Sequence, residues 1–264
     1  MSYNAIIAET DKHGILRLTL NRPESRNSMS TELAMEMIDV FDKVDADESI
    51  RGIVLTGAGE AFCAGGDLKW MQEIITQTRK ERIAGSSAVA GLLYRMYDVT
   101  KPIIGRINGD GFGGGTGLTA LCDVAVGARG KTRLCVSETM VGLAPANIAP
   151  FLVRKMGEGR ARSVMLNARI MDADTAVHYG LLSYAVDPDD FDAAIEEEVG
   201  NLLRCAPQGV VATKALISYV ARHSVHECWN YTVDRLADAW ETEDGQEGVA
   251  AFVEKRKPRW NPGS

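Results

Sequence analysis

Six of the nine residues from Gly109 to Gly117 are glycine, and the run lies directly behind the apolar stretch Ile103-Ile104-Gly105-Arg106-Ile107. Glycine gives up more conformational freedom on folding than any other residue, about 1 kcal/mol in a regular element relative to alanine. Such a density is tolerated where the backbone must enter the left-handed region or where a ligand must touch bare main chain. A second turn, Ala61-Phe62-Cys63-Ala64-Gly65-Gly66-Asp67-Leu68, follows the apolar run Ile53-Val54-Leu55-Thr56. Both turns are expected to open into helices. Each would then aim unpaired N–H groups, at the positive end of a helix dipole, toward an anion. Three readings stay open at this level: tight packing with no ligand, a phosphate cradle, and an anion hole. Gly109 to Gly114 comes near a dinucleotide fingerprint without matching it, and GxxxxGK[ST] does not occur.

The stretches around these turns predict a mixed α/β architecture. Gly14 to Leu20 alternates and reads as a strand, ended by Asn21-Arg22-Pro23. Ser30 is the expected N-cap of a helix running to about Asp45, with Leu33, Met37, Ile38, Val40, Phe41 and Val44 on its apolar face. Leu118 to Leu121 reads as helix, and Asp123 to Gly127 and Arg133 to Val136 read as short strands. Strand, turn and helix in repeated order argue for parallel pairing. From Pro150 the pattern is helical: Phe151–Met156, Gly159–Leu166, Ala173–Tyr179, Asp190–Arg204 and from Ala212 on. The break at Ala206-Pro207-Gln208-Gly209 divides a core domain, 1–205, from a helical C-terminal region, 206–264.

A net charge of −7 argues against a broad nucleic-acid or membrane-surface footprint. The cluster Lys255, Arg256, Lys257 and Arg259 is the local exception, and by composition alone it reads as a solvated tail. Five cysteines, Cys63, Cys122, Cys135, Cys205 and Cys228, lack CxxC and metal-ligand spacing. Buried free thiols of a cytoplasmic protein are the simplest account. No apolar run approaches the ~20 residues needed to span a bilayer, and the four histidines lack ligand spacing.

Taken in order along the chain, these motifs resemble the crotonase (enoyl-CoA hydratase/isomerase) superfamily. The first turn is similar to its FxAGxDL element and the second, through Cys122-Asp123, to its NGxAxGGGxxLxxxCD element. Ser137-Glu138-Thr139-Met140-Val141-Gly142-Leu143-Ala144-Pro145 is similar to PExxxGLxP, Asn21-Arg22-Pro23 with Asn27 to LNRPxxxN, and Phe252 to Lys257 to AFxEKRxP. The resemblance implies a spiral of ββα units followed by helices that build a homotrimer or a hexamer of two trimers. It also implies a thioester enolate held by two N–H donors, Gly66 and Gly114, each contributing about 2.7–4 kcal/mol, and an acid–base carboxyl, Glu138. Ala64, Asp67 and Leu68 would border coenzyme A. Phe252 and Lys255 would reach its nucleotide from another subunit, Lys255 as a flexible point charge for phosphate. Coenzyme A enters with the substrate; no other cofactor, metal, nucleic acid or membrane is implied.

One departure sharpens the expectation. The best known hydratases carry a second glutamate in the helix after the triple glycine, where this chain has Gly117. Glycine there, with Asp67–Met71, Phe112–Leu118 and Gly142–Pro150, resembles the hydratases of methylglutaconyl-CoA and isohexenylglutaconyl-CoA in leucine and acyclic terpene breakdown. Asp123 is read as a buried helix cap. The rivals are a double-bond isomerase or acyl-CoA lyase, and a non-catalytic acyl-CoA- or RNA-binding scaffold.

Overall fold

Alternation along β2 (Ile15–Leu20), which follows β1 (Ile6–Thr10), sends Leu16, Leu18 and Leu20 to one face of a sheet and Ile15 to the other. The computed structural model describes residues 3–261, the side chains of residues 68–70 excepted. Ser30 caps α1 (Thr31–Ala46), its Oγ accepting from the Leu33 N–H at 3.2 Å. β3 (Gly52–Gly57), α2 (Leu68–Thr76), α3 (Arg79–Asp98), β4 (Ile103–Ile107), β5 (Gly111–Phe112), α4 (Gly114–Leu121), β6 (Val124–Ala128) and β7 (Arg133–Cys135) follow. Then come α5 (Ala149–Met156), α6 (Glu158–Met165), β8 (Met171–Asp172), α7 (Ala173–His178), β9 (Tyr184–Val186), α8 (Phe191–Leu203), α9 (Pro207–Val220), α10 (Cys228–Glu241) and α11 (Glu243–Glu254).

The main sheet has the order β1-β2-β3-β4-β6-β9, parallel throughout except for the antiparallel β1–β2 pair. One face packs Leu18, Ile53, Leu55 and Ile103 against residues of α1, α3 and α4, such as Phe41, Leu92 and Leu118. The other packs Ile15, Val54, Ile104 and Val126 against Phe191, Ile195 and Val199 of α8. A sheet covered on both faces explains why its strands read as near-continuous apolar runs. Because β3 and β4 are adjacent and parallel, the two glycine turns leave the C-terminal ends of the strands side by side. A second sheet, β5-β7-β8, joins the second turn to the strand that precedes Glu138, with Phe112 opposite Cys135.

The C-terminal helices are tied back through Arg51, whose guanidinium donates to the carbonyls of Leu203 (3.0 Å), Cys205 (2.8 Å) and Trp260 (2.9 Å). Four sequence expectations need amendment. The helix after the second turn starts at Gly114, not Leu118, so the last two glycines of the triplet form its first turn. Asp123 is exposed and is no buried cap: its carboxylate accepts from the Ile103 N–H and Lys214 Nζ, both at 2.7 Å, joining β4 to α9. The terminal cations are not simply solvated, since Arg256 pairs with Glu247 and Glu254 and Arg259 with Asp244. Helix α2 opens from the first turn as expected, while helix α3, strands β1, β8 and β9, and the division of the last segment into three helices add to the elements read from the sequence.

All five cysteines are free thiols, and four are buried. Burial pushes Cys63 up to about 11 and Cys122 to about 12, which leaves both protonated and inert. Among the described residues no helix is long and apolar enough to cross a membrane.

Replacing Arg51 by methionine keeps the stem and removes three charge-assisted bonds to carbonyls. The expected result is about 2–3 kcal/mol lost in urea unfolding, with faster proteolytic cleavage around residues 204–208.

Candidate functional site

Asn27 organises the approach to the first turn. It is fully buried at φ 56, a left-handed position that asparagine tolerates. Its side-chain carbonyl accepts from the Arg22 N–H (2.9 Å), and its Nδ2 donates to Ala58 O (2.9 Å) and Ala61 O (2.8 Å). The turn is then stitched to its surroundings: Ala64 N–H donates to Arg26 O (2.9 Å), Met29 N–H to Gly65 O (2.7 Å) and Asp67 N–H to Met29 O (3.3 Å).

That pattern decides where the Gly66 N–H points. A peptide unit is planar and trans, so its C=O and its N–H point in opposite directions. With Gly65 O turned toward Met29, the N–H of the same unit, that of Gly66, must face the other way. Gly66 is solvent-exposed and, among the described residues, its N–H has no acceptor. The second turn repeats the device: Gly113 O accepts from the Gly117 N–H (3.1 Å), which directs the Gly114 N–H outward from the start of α4. This N–H also lacks an acceptor among the described residues, and it lies at the positive end of the helix. Thr116, fully buried, pins this helix start: its hydroxyl donates to Gly111 O or Cys135 O (2.7 and 2.9 Å) and accepts from Cys135 N–H.

The two turns touch. Cys63 pairs with Gly111 in a parallel bridge, Cys63 N–H donating to Asp110 O (3.0 Å) and Phe112 N–H to Cys63 O (2.9 Å). Gly65 sits at φ +93, and a methyl on it would fall 2.8 Å from Phe112 O. Bare glycine is required there for both reasons.

Glu138 opens a 3-10 turn, Glu138–Val141, closed by Gly142 at φ 77, whose N–H bonds back to Glu138 O and Thr139 O. A methyl on Gly113 would lie 3.1 Å from Glu138 Oε1, so the carboxyl rests on the residue just before the Gly114 donor. Glu138 Oε2 is buried and has no hydrogen-bond partner among the described residues. Burial therefore raises its proton affinity above that of an ordinary glutamate, opposed only by a bond to its own N–H. A carboxyl with one unpartnered oxygen and a raised pKa, set next to the Gly114 N–H, can carry a proton to and from a substrate whose oxygen gains charge.

No second acid joins it from α4. A methyl on Gly117 would meet Ile148 Cγ2 at 2.4 Å, so the space one turn beyond Gly113 is already filled. Among the described residues, no cluster of His, Cys, Asp or Glu could hold a metal ion.

Of the remaining residues singled out in the sequence, Ala64 and Asp67 border the first turn. The Asp67 carboxylate accepts from Arg22 (2.9 Å) and from the Ser28 hydroxyl (3.2 Å). Leu68 begins α2, and its side chain lies outside the described residues. Phe252 and Lys255 are not brought to the turns by their own chain: Phe252 is 85% exposed on α11, and Lys255 caps that helix at φ 54. A separate cavity of about 780 Å³ between α5 and α9, lined by Leu121, Phe151, Lys155, Val210 and Lys214, includes neither Glu138 nor the glycine turns. No role was legible in the sequence for Met29, nor for Thr116 and Ile148 although both lie in the motif stretches, because what each does depends on a contact that the motif does not encode.

Residues 10–263 match the model of the enoyl-CoA hydratase/isomerase family, and the chain belongs to that family. Among relatives, it is 35% identical over 251 residues to the mevalonyl-coenzyme A hydratase of Aspergillus fumigatus, covering 94% of this chain and 92% of that one. It is 28% identical over 260 residues to the short-chain-enoyl-CoA hydratase of Clostridium acetobutylicum, with 97% of each chain covered. Among solved structures, Pseudomonas aeruginosa AtuE superposes with a TM-score of 0.94 at 36% identity, covering 98% of this chain and 100% of that one. Family and relatives are enoyl-CoA hydratases, and hydratase activity is what these comparisons support.

Two substitutions test the packing. Gly65→Ala should cost about 1–3 kcal/mol through strain and contact with Phe112, read as a lower urea midpoint. Gly117→Glu should not build a two-acid site: overpacking against Ile148 should cost at least about 1–3 kcal/mol, and refolding with nearly unchanged stability would show that the wall yields.

Proposed function

We propose that this protein hydrates a branched α,β-unsaturated acyl-CoA, a 3-substituted glutaconyl-CoA with a methyl or isohexenyl group. The observation carrying the reading is the Glu138 carboxyl, one oxygen of it unpartnered, resting on Gly113 next to the Gly114 N–H, in a turn bridged to the one that presents the Gly66 N–H. In the forward direction the Glu138 carboxylate takes a proton from water as the hydroxyl oxygen bonds to Cβ. The electron pair of the double bond moves through Cα to the thioester oxygen, where the two N–H donors stabilise the negative charge. Glu138, now neutral, returns the proton to Cα, and the 3-hydroxyacyl thioester results. Water supplies every atom added, and a single carboxyl suffices because it is reprotonated and emptied within one turnover.

Support for a branched chain comes from Gly117 and its neighbour Ile148, and from the relative named for mevalonyl-coenzyme A, since mevalonyl carries a methyl on C3. Met140, Val141 and Leu143, exposed just after Glu138, suit an apolar acyl group. The backbone of Ala64, Asp67 and Leu68 would border coenzyme A. Residues 1–205 form the catalytic part on this reading, and 206–264 assemble a homotrimer or a hexamer. Trp229, Val233, Leu236 and Trp240, exposed at helical spacing on α10, supply an apolar face for that contact. Phe252 and Lys255 would then serve a neighbour's coenzyme A. The lone acid also suits a double-bond isomerase or a lyase, and labelled water incorporated at Cβ separates hydration from both.

Glu138→Gln should retain acyl-CoA binding and lose at least about 100-fold in kcat. Near-normal hydration by that variant refutes the assignment. The pH dependence has a defined sign. Only the carboxylate accepts the proton of water, so kcat/KM falls as pH drops through a pKa raised above the usual glutamate range. In stability the same shift acts the other way. The native state holds the proton more tightly than the unfolded chain, so stability falls as pH rises from the unfolded to the folded pKa. Glu138→Gln should therefore melt higher than the wild type at neutral pH, with that pH dependence removed.

A further inference from the structure

We propose that Met29 is a positioning residue that seats the Gly114 N–H donor relative to that of Gly66, an inference resting on the hydratase reading above. One residue touches both turns by different means. Through its main chain, Met29 donates to Gly65 O and accepts from Asp67 N–H, bracketing Gly66 in a parallel bridge. Through its side chain it occupies the bare α-carbon of Gly114: a methyl there would lie 2.2 Å from Met29 Sδ, 3.4 Å from Cγ and 3.6 Å from Cε. The thioether thus fills the space that any other residue at 114 would take for itself.

Met29 is itself held rigidly. It is 3% exposed, and Ser30 after it caps α1. Ser28 before it gives its carbonyl to Arg22 (2.9 Å) and its hydroxyl to Asp67. The arm therefore runs from a fixed helix start across to the start of α4. An unbranched, polarisable side chain can lie flat on a bare α-carbon where a branched one would stand off. The Cys63–Gly111 bridge joins the two turns along their backbones, and the Met29 side chain adds a stop against the α-carbon of Gly114 itself.

Three substitutions and one spectroscopic readout test this. Met29→Ala removes the arm and leaves the main-chain bonds, so Gly66 keeps its direction while Gly114 loses its stop. A displacement of about 1 Å in a donor costs on the order of 100-fold in rate. The expected result is a 10- to 100-fold loss of kcat, KM within about threefold, and an unmoved acidic limb of the pH profile. Met29→Leu, similar in volume, should recover most of the rate. Met29→Val shortens the arm with less loss of packing and should fall between them; it carries the test if the alanine variant does not fold.

The readout is the carbonyl stretch of butyryl-coenzyme A labelled with carbon-13 at the thioester, bound without turnover. Binding to the wild type should lower the frequency below that in water, and Met29→Ala should reduce the lowering. If the wild type causes no lowering, the hydratase reading itself fails. If the wild type lowers it and folded Met29→Ala or Met29→Val does so equally with kcat within twofold, only the role of Met29 is overturned.

Discussion

The hydrogen bond from Met29 N–H to Gly65 O, 2.7 Å long, is the constraint on which the candidate site depends. A backbone N–H in a folded protein is almost always paired, because leaving one without a partner away from water is costly. Keeping one accessible requires that the carbonyl across the same peptide plane be anchored elsewhere. Met29 supplies that anchor for the first turn, and the Gly117 N–H supplies it for the second through Gly113 O. The rest of the fold places these anchors. Adjacent parallel strands β3 and β4 launch the turns from the same end of the sheet, and the Cys63–Gly111 bridge joins them. Glycine is needed at Gly65 and Gly113, at positive φ, so that the backbones and the Glu138 carboxyl can close in.

Glu138 shows the opposing demand. A carboxyl with a buried, unpartnered oxygen is a poor element for stability, since burial penalises its charged form. On the hydratase reading the same penalty is what brings its proton affinity toward the range where one group can both take and return a proton. Ile148 commits the site to that single group by filling the space beside Gly117. On that reading, acid–base work and charge stabilisation are divided between one side chain and two main-chain donors.

How much of this was legible in the sequence varied with the kind of signal. The apolar runs Ile53–Thr56 and Ile103–Ile107 gave two central strands because both sheet faces are covered. Ser30 and the spacing from Leu33 to Val44 gave α1 and its cap. Helix α3 was missed because only Leu92, Leu93 and Met96 are buried in it, too few for a period, although Thr78 and Glu81 form a capping box that marks its start. The start of α4 was placed too late because glycine normally breaks helices, whereas Gly114 and Gly115 occupy a first turn whose N–H groups need no helical partner. Motif order brought Glu138 and the glycine turns into view together, and the structure sets Glu138 beside the second of them. The contacts of Met29 with Gly114, Thr116 with Gly111 and Cys135, and Ile148 with Gly117 depend on tertiary packing that no local pattern encodes.

The most direct test follows the amide resonances of Gly66 and Gly114 by nitrogen-15 NMR while acyl-CoA is added to the Glu138→Gln protein, where turnover is slowed. Two donors sharing one thioester oxygen should shift downfield together, along one saturation curve. A shift confined to one of them, or to neither, would contradict the account.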